Sequence, residues 1–403
     1  MIKALNIIFI QSFIYILAKI ISKDNDLIVF GSSLGKHFSD NSKYLFLYLL
    51  QQNSSKKIIW ITKNKDIYNE LNSLNIPCEY LYSFKGIFYT LRASKVFLSH
   101  SIYDINGAMI GGAEIIQLWH GVALKRIGYN GEWFLNSFKD KIRLFFYTKL
   151  SVSYGMKCDK LVISTSLSKD TFKEAFYFSF RDNQIEKNML LLGQPRNDLL
   201  DKNYTFNKKF FPEIDTLKEY DKKYNKIISW LPTHRRQLNK TIVDIIKESN
   251  LDIKDLDLFC QKYNILFVIK AHPDELDLVK DLLKDTKNII TYDIADPYPL
   301  LHFTDILMTD YSSVYFDFLI TNRAIIFASF DLEDYEKTAK FYYNYDDITP
   351  GKKCMDWEEI KDEIENIVNG DDSFKVQREK LLIEGNFITK DNSKNIAEYF
   401  KLI

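Results

Sequence analysis

With 403 residues, 46% hydrophobic and 27% charged, the chain is long enough for two or three domains of roughly 150 residues and too apolar for wholesale disorder. Its 14 glycines are about half the usual share of about 7%, against many Gly-rich turns, and Cys78, Cys158, Cys260 and Cys354 form no CxxC pair, so neither a zinc site nor a disulfide framework is expected and a reducing compartment is the simpler reading. Lys plus Arg and Asp plus Glu total 54 each, yet residues 1–200 carry 25 basic and 16 acidic side chains and residues 201–403 carry 29 and 38. That split of +9 and −9 suggests two lobes, the first suited to a polyanion or an anionic membrane face, with compositional drift as the alternative.

The opening stretch, MIKALNIIFIQSFIYILAKIISK, has no charge from Ala4 to Ala18, short of the roughly 20 residues a membrane span needs. No small-x-small cleavage site follows it, and Asn6, Gln11 and Ser12 fall on different sides of a helical wheel. With Lys3, Lys19 and Lys23 at its ends, it reads as a helix over 1–23 that dips into the cytoplasmic leaflet, or else as a buried N-terminal helix.

Short apolar runs then alternate with helical patterns. LIVFG (27–31), KIIWIT (57–62), PCEYLY (77–82), KVFLSH (95–100), EIIQLWHG (114–121), KLVISTS (160–166) and MLLLGQ (189–194) suit strands buried on both faces of a parallel sheet. This is a first lobe over 24–200. The Lys-rich stretch 201–225 reads as a linker. A second lobe over 226–403 restarts with KIISWLP (226–232), ILFVIKAHP (265–273), NIITYD (288–293), DILMTD (305–310) and AIIFAS (324–329), and 356–402 reads as wholly helical. The expected fold is α/β: two Rossmann-like, doubly wound parallel-sheet domains with a cleft between them, preceded by the N-terminal hydrophobic helix. In such sheets ligands bind beyond the carboxyl ends of the strands.

Candidate residues therefore lie just past each strand. His120 leaves a buried strand before Gly121, and an imidazole of ordinary pKa about 6.5 suits a general base; packing beside Trp119 is the other reading. Lys125 and Arg126 follow and suit phosphate. In Lys270-Ala271-His272-Pro273, the proline holds His272 extended, turning its side chain out of the sheet. Asp310-Tyr311-Ser312-Ser313 joins a strand to a helix whose first N–H groups favour an anion. Arg235 and Arg236 in Pro232–Arg236 offer bidentate phosphate contacts, and Gly193–Asp198 closes the first lobe. Gly31–Lys36 lacks Walker spacing, and Asp255-Leu256-Asp257 reads as a solvated helix face instead of a DxD metal site. No ligand cluster suited to Zn²⁺ or Mg²⁺ is visible, so activity is expected to survive a chelator.

Taken in order, these runs resemble the CDP-glycerol glycerophosphotransferase family, which builds teichoic acids and polyol-phosphate capsule polymers. The resemblance rests on Trp119-His120-Gly121 with Lys125, Ile127 and Gly128; Gly193 and Pro195–Asp198; Pro232, Thr233 and Arg235; Lys270, His272 and Pro273; and Thr309–Ser313 with Phe316-Asp317. Residues 33–45, with Ser39, Asp40 and Asn41, look like the family's first strand loop. Departures are Val122-Ala123 after the WHG run, His234 where an aromatic is common, and Lys352-Lys353 after Pro350-Gly351.

The resemblance implies a GT-B-like pair of domains. The acceptor would sit on the first lobe (Lys125, Arg126, Ser39, Asp40, Asn41) and the donor on the second (Arg235, Lys270, Asp310, Ser312, Ser313), with His120 and His272 catalytic. It further implies CDP-glycerol, or CDP-ribitol, as donor. The expected acceptor is a polyprenyl-diphosphate-linked saccharide or a polyol phosphate, at the inner leaflet of the cell membrane, with the enzyme peripheral on its cytoplasmic face. No cofactor, metal or nucleic acid is expected. The rival readings are a nucleotide-sugar glycosyltransferase of the same fold and a non-catalytic polyanion-binding scaffold.

Overall fold

The computed structural model describes residues 2–128, 131, 157–177, 179–180, 184–235 and 240–403, with backbone alone for 2–8 and 338. The chain divides into two compact units. One comprises Met1–Val122, Arg126–Asp198 and Phe387–Ile403; the other comprises Ala123–Lys125 and Leu199–Asn386.

The first unit is a parallel sheet of β1 (Asp24–Gly31), β2 (Lys57–Thr62), β3 (Cys78–Tyr80), β4 (Ala93–Leu98), β5 (Glu114–Gln117), β6 (Lys160–Ile163) and β7 (Met189–Leu191), in the order 3-2-1-4-5-6-7. Leu27, Ile28, Val29 and Phe30 are all buried, as expected for a strand covered on both faces. Phe30 stacks on Phe97 of β4 at 5.0 Å and meets Phe46 edge-on at 5.3 Å. Each such buried ring contributes about 1.5–3 kcal/mol by leaving water. Phe46 lies on α2 (Asp40–Gln51), the helix that follows β1.

The second unit repeats the plan with β8 (Lys226–Leu231), β9 (Ile265–Ile269), β10 (Ile289–Thr291), β11 (Ile306–Thr309), β12 (Ala324–Ala328) and β13 (Lys352–Cys354), all parallel, in the order 10-9-8-11-12-13. Alternate residues feed opposite faces. Ile228, Trp230, Phe267 and Met308 pack in one core, and Ile227, Leu266 and Val268 pack in the other with Leu217 and Tyr224.

Three features depart from the sequence reading. The stretch 201–225 is not a free linker: its helix Ile214–Lys223 buries Ile214 and Leu217 in the second unit. The chain's end returns to the first unit, because the Asp198 carboxylate accepts from the Asn392 and Ser393 amides, both at 2.8 Å, and from Asn392 Nδ2 at 2.9 Å. The edge strand β13, two lysines and a cysteine, carries no apolar run, yet pairs with β12 from Ile326 to Ala328.

The N-terminal segment forms a helix, α1 (Ile2–Ile20). Tyr15 and Ala18 face inward, and a Cβ at Gly111 would stand 2.3 Å from the Tyr15 carbonyl oxygen, so glycine there permits the close approach. Phe9, Ile10, Phe13, Ile16, Leu17 and Ile20 are exposed. At 100° per residue these six share one side, so α1 has an apolar outer face where the wheel pattern alone read as poorly sided. Among the described residues no helix is long and apolar enough to cross a membrane.

Candidate active site

In each sheet the strand order reverses beside the unit's first strand, at β1/β4 and at β8/β11. Such switch points open a crevice at the carboxyl ends of the strands. Both clusters described here grow from them.

In the first unit, His120 follows β5. The residue before it, Trp119, sits at φ +58, a left-handed conformation costly for a bulky aromatic. Its neighbours over-determine it. The Trp119 amide donates to Gln117 Oε1 at 3.1 Å, its carbonyl accepts from Asn41 Nδ2 at 2.8 Å, and its ring meets Phe176 edge-on at 4.7 Å. Arg196, past β7, then ties the loops together. Its amide donates to Asn41 Oδ1 (3.1 Å), Nη1 to Asp40 Oδ1 (3.0 Å) and Nη2 to the His120 carbonyl (2.9 Å).

The His120 ring is thereby given one tautomer. Its Nδ1 stands 2.9 Å from the Ser99 carbonyl oxygen, which can only accept, so Nδ1 carries the hydrogen and Nε2 is the nitrogen able to take a proton. Burial pushes the imidazole down to about 4, helped by His100 and Arg196 and opposed by Asp40 and the Ser99 carbonyl. His120 is therefore neutral at pH 7. Its ring stacks on His100 at 4.4 Å, 16° from parallel.

The expected acceptor residues divide. Asp40, at φ +64, is held by Arg196, and Ser39 Oγ lies 2.7 Å from Ser33 Oγ. Asn41 is fully buried with its amide engaged at both ends, so in this structure it holds the Trp119 loop. Arg126 is exposed. Lys125 belongs to the second unit: it bridges Phe341, and its Nζ donates to Tyr335 Oη at 2.9 Å.

In the second unit, Arg235 follows β8 and is almost wholly buried. Nε and Nη2 donate to the two Asp331 carboxylate oxygens, both at 2.9 Å, while Nη1 donates to Asp310 Oδ2 (2.8 Å) and the Thr233 carbonyl (2.7 Å). The guanidinium also lies 4.7 Å over the Tyr311 ring and 5.2 Å over Tyr335. Burial works against its charge, but Asp310 and Asp331 outweigh that and raise its pKa. Lys125 is lowered by the same burial, with Asp310 opposing and Arg235 adding to the fall. Asp310 also accepts from the Thr233 and Tyr311 amides, and Asp317 from Tyr298 Oη at 2.6 Å. Arg235 and Asp310, expected to meet the donor, are spent on each other and on Asp331.

The groups left facing outward are others. His272 is extended (φ −63, ψ 146), as its following proline requires, and its side chain is 44% exposed. Its Nδ1 accepts from the Asp274 amide at 3.3 Å, which leaves the hydrogen on Nε2. The His234 ring stacks on it at 4.5 Å, 18° from parallel, so His234 does an aromatic's work where the sequence departs from the family pattern. Lys270 Nζ is half-buried near the Ala271 carbonyl, and burial lowers its pKa, opposed by Asp293 and Asp296. Ser312 and Ser313 are half-buried before the short helix Val314–Leu319.

Arg236 lies outside the described residues. Asp257 is not solvated: it is buried and accepts from the Lys287 and Asn288 amides, which anchor the start of β10. Sequence reasoning gave no role to His100, Asp331, Tyr335 or Arg196. Arg196 lies in the Gly193–Asp198 run and His100 ends the KVFLSH strand run.

The family described as CDP-Glycerol:Poly(glycerophosphate) glycerophosphotransferase matches residues 13–396. A teichoic acid poly(glycerol phosphate) polymerase of Bacillus spizizenii is 27% identical over 380 residues, 89% of this chain and 88% of that one. A teichoic acid glycerol-phosphate primase of Bacillus subtilis is 32% identical over 289 residues, 70% and 68% of the two chains. The ribitol-phosphate polymerase TarL of Staphylococcus aureus is 26% identical over 85% of this chain, which spans only 57% of that protein's length. The wall teichoic acid polymerase TagF has a similar fold, with TM-score 0.72 and 22% identity over 97% of this chain and 92% of that one. The UDP-GlcNAc 2-epimerase of Neisseria meningitidis is a more distant fold neighbour, at TM-score 0.53 and 12% identity over 92% and 98%. With the family match running over most of its length and through both clusters, the chain belongs to the CDP-glycerol:poly(glycerophosphate) glycerophosphotransferase family.

Proposed function

We propose that this protein transfers a polyol phosphate, glycerol phosphate from CDP-glycerol, to a hydroxyl of a lipid-linked acceptor in teichoic acid or capsule polymer synthesis. The observation that carries the reading is the His120 tautomer. A base for an attacking hydroxyl needs an unprotonated ring nitrogen, and the Nδ1–H bond to Ser99 makes Nε2 that nitrogen. The acceptor oxygen attacks the polyol-bearing phosphorus, its proton passes to His120 Nε2, and the bond to the CMP oxygen breaks with its electron pair leaving on CMP. His272 Nε2–H, Lys270 and the Ser312 and Ser313 hydroxyls hold the donor pyrophosphate and neutralise the charge that develops on CMP. Arg235 and Asp310 shape that site from behind. Arg126, Ser39 and Asp40 face the acceptor.

Purified full-length protein given CDP-glycerol, CDP-ribitol or UDP-sugars with a lipid-linked acceptor tests this. CMP is expected in step with polyol phosphate in the product, faster with CDP-glycerol. Nucleotide release from a UDP-sugar with a new glycosidic bond, and none from either CDP-polyol, would replace the reading with glycosyl transfer.

The outer face of α1 supports a peripheral position on the cytoplasmic leaflet, its exposed side chains dipping among the acyl chains. The combined change Phe9→Ser, Phe13→Ser and Ile16→Ser removes about 1.5–3 kcal/mol of apolar burial per side chain while sparing Tyr15 and Ala18. It is expected to abolish co-sedimentation with anionic vesicles. Unchanged sedimentation would assign that face to protein contact instead.

A further inference from the structure

We infer that His100 is a positioning residue for His120: its ring, stacked on the His120 imidazole, holds that ring in the orientation in which Nε2 meets the acceptor hydroxyl. The inference rests on the reading of His120 as the base, and it adds a residue absent from the ordered motifs.

His100 is itself anchored on three sides. Its amide donates to Asp104 Oδ2 at 2.7 Å, its Nδ1 accepts from the Ser33 amide at 3.2 Å, and its Nε2 stands 3.8 Å from Asp40 Oδ2. The Asp104 carboxylate also accepts from the amides of Ser99, Ser101 and Leu34, so the loop after β4 is rigid where the ring emerges. Because Nδ1 receives the Ser33 N–H, the hydrogen of the His100 ring is on Nε2, toward Asp40. The ring beside His120 is thus held flat.

The same loop supplies the Ser99 carbonyl that fixes the His120 tautomer. One short segment, residues 99–104, therefore sets both the tautomer and the tilt of the base. The groups facing His120 are His100, Asp40, Arg196 and the Ser99 carbonyl, with the Trp119 ring 4.0 Å away. Removing the His100 ring admits water to a face of the imidazole that is now covered.

Two variants separate the ring from its loop bond. His100→Phe keeps a flat ring and loses the acceptor for Ser33; His100→Asn keeps an acceptor and loses the ring. Imidazole titration by NMR in the full-length protein and the pH profile of kcat/KM are the readouts. His100→Phe is expected to leave the His120 titration and kcat close to the parent's. His100→Asn is expected to raise that titration by about one pH unit or more toward the ordinary imidazole value and to lower kcat about 10- to 100-fold with little change in KM. Parent-like titration in His100→Asn, or equal damage in both variants, would overturn the inference. The titration needs no substrate, so absence of CMP release by the parent protein would sink the functional reading without deciding this one.

Discussion

His120→Ala is expected to lower turnover about 10²–10⁴-fold, the usual loss when a general acid or base is removed, while CDP-glycerol binding hardly changes. The first figure follows from the chemistry. An alcohol hydroxyl is a poor nucleophile until its proton has somewhere to go, and His120 Nε2 is the acceptor that the Ser99 bond prepares. The second follows from placement, since the donor ligands proposed here lie past β9 and β11, in the other unit. The ring is neutral down to about pH 4, so the acid limb of the kcat/KM profile should lie well below the ordinary imidazole value. Protonation below about 4 costs activity; raising the pH above 6.5 gains nothing from this residue. Turnover within a few-fold of the parent would reduce His120 to a packing residue beside Trp119. Binding is read by calorimetry and turnover by CMP release, so the two claims fail separately.

Much of this was legible in the chain because burial leaves a coarse signature. Runs such as Leu27–Phe30 and Ile265–Ile269 are apolar at every position, as a strand covered on both faces requires. The strand exits then pointed to His120, Lys270, His272, Ser312 and Ser313 without any contact being known. What stayed hidden was non-local. β13 has no apolar pattern and exists because β12 offers it an edge; a Cβ at Gly351 would stand 2.1 Å from the Ile325 carbonyl oxygen. The return of residues 387–403 is fixed by contacts far apart in sequence: the Asp198 carboxylate meets amides almost two hundred positions away, and the Ile388 amide donates to the Ser164 carbonyl oxygen at 2.8 Å.

The two stacked histidine pairs teach the same lesson at the scale of side chains. His120 and His272 stand in recognisable runs, but their partners His100 and His234 come from other strand ends and mean nothing until the sheet order brings them alongside. Charge is ambiguous in sequence for a related reason. A basic residue after a strand looks like a phosphate ligand whether or not a carboxylate from elsewhere has already claimed it.

Arg235→Ala is expected to destabilise the protein by about 3–5 kcal/mol, the range for breaking a buried ion pair from one side. The guanidinium has four donor contacts to Asp331, Asp310 and Thr233 and is almost wholly buried, so its loss strands two carboxylates, offset in part by Lys125 near Asp310 and Lys240 near Asp331. Arg235→Lys should recover little, because a point-like ammonium cannot reproduce the paired contact with both Asp331 oxygens. Adding Asp331→Asn to Arg235→Ala should return part of the loss by removing one unpaired charge, a non-additivity that neighbours in one network are expected to show. Urea unfolding of the single and double variants measures all three. The donor should also bind less well to Arg235→Ala, since the loops after β8 and β11 are held by this network. The order of effects is what discriminates. If Arg235→Ala unfolds like the parent and loses only CDP-glycerol affinity, the arginine grips phosphate directly, as its place in the sequence first implied.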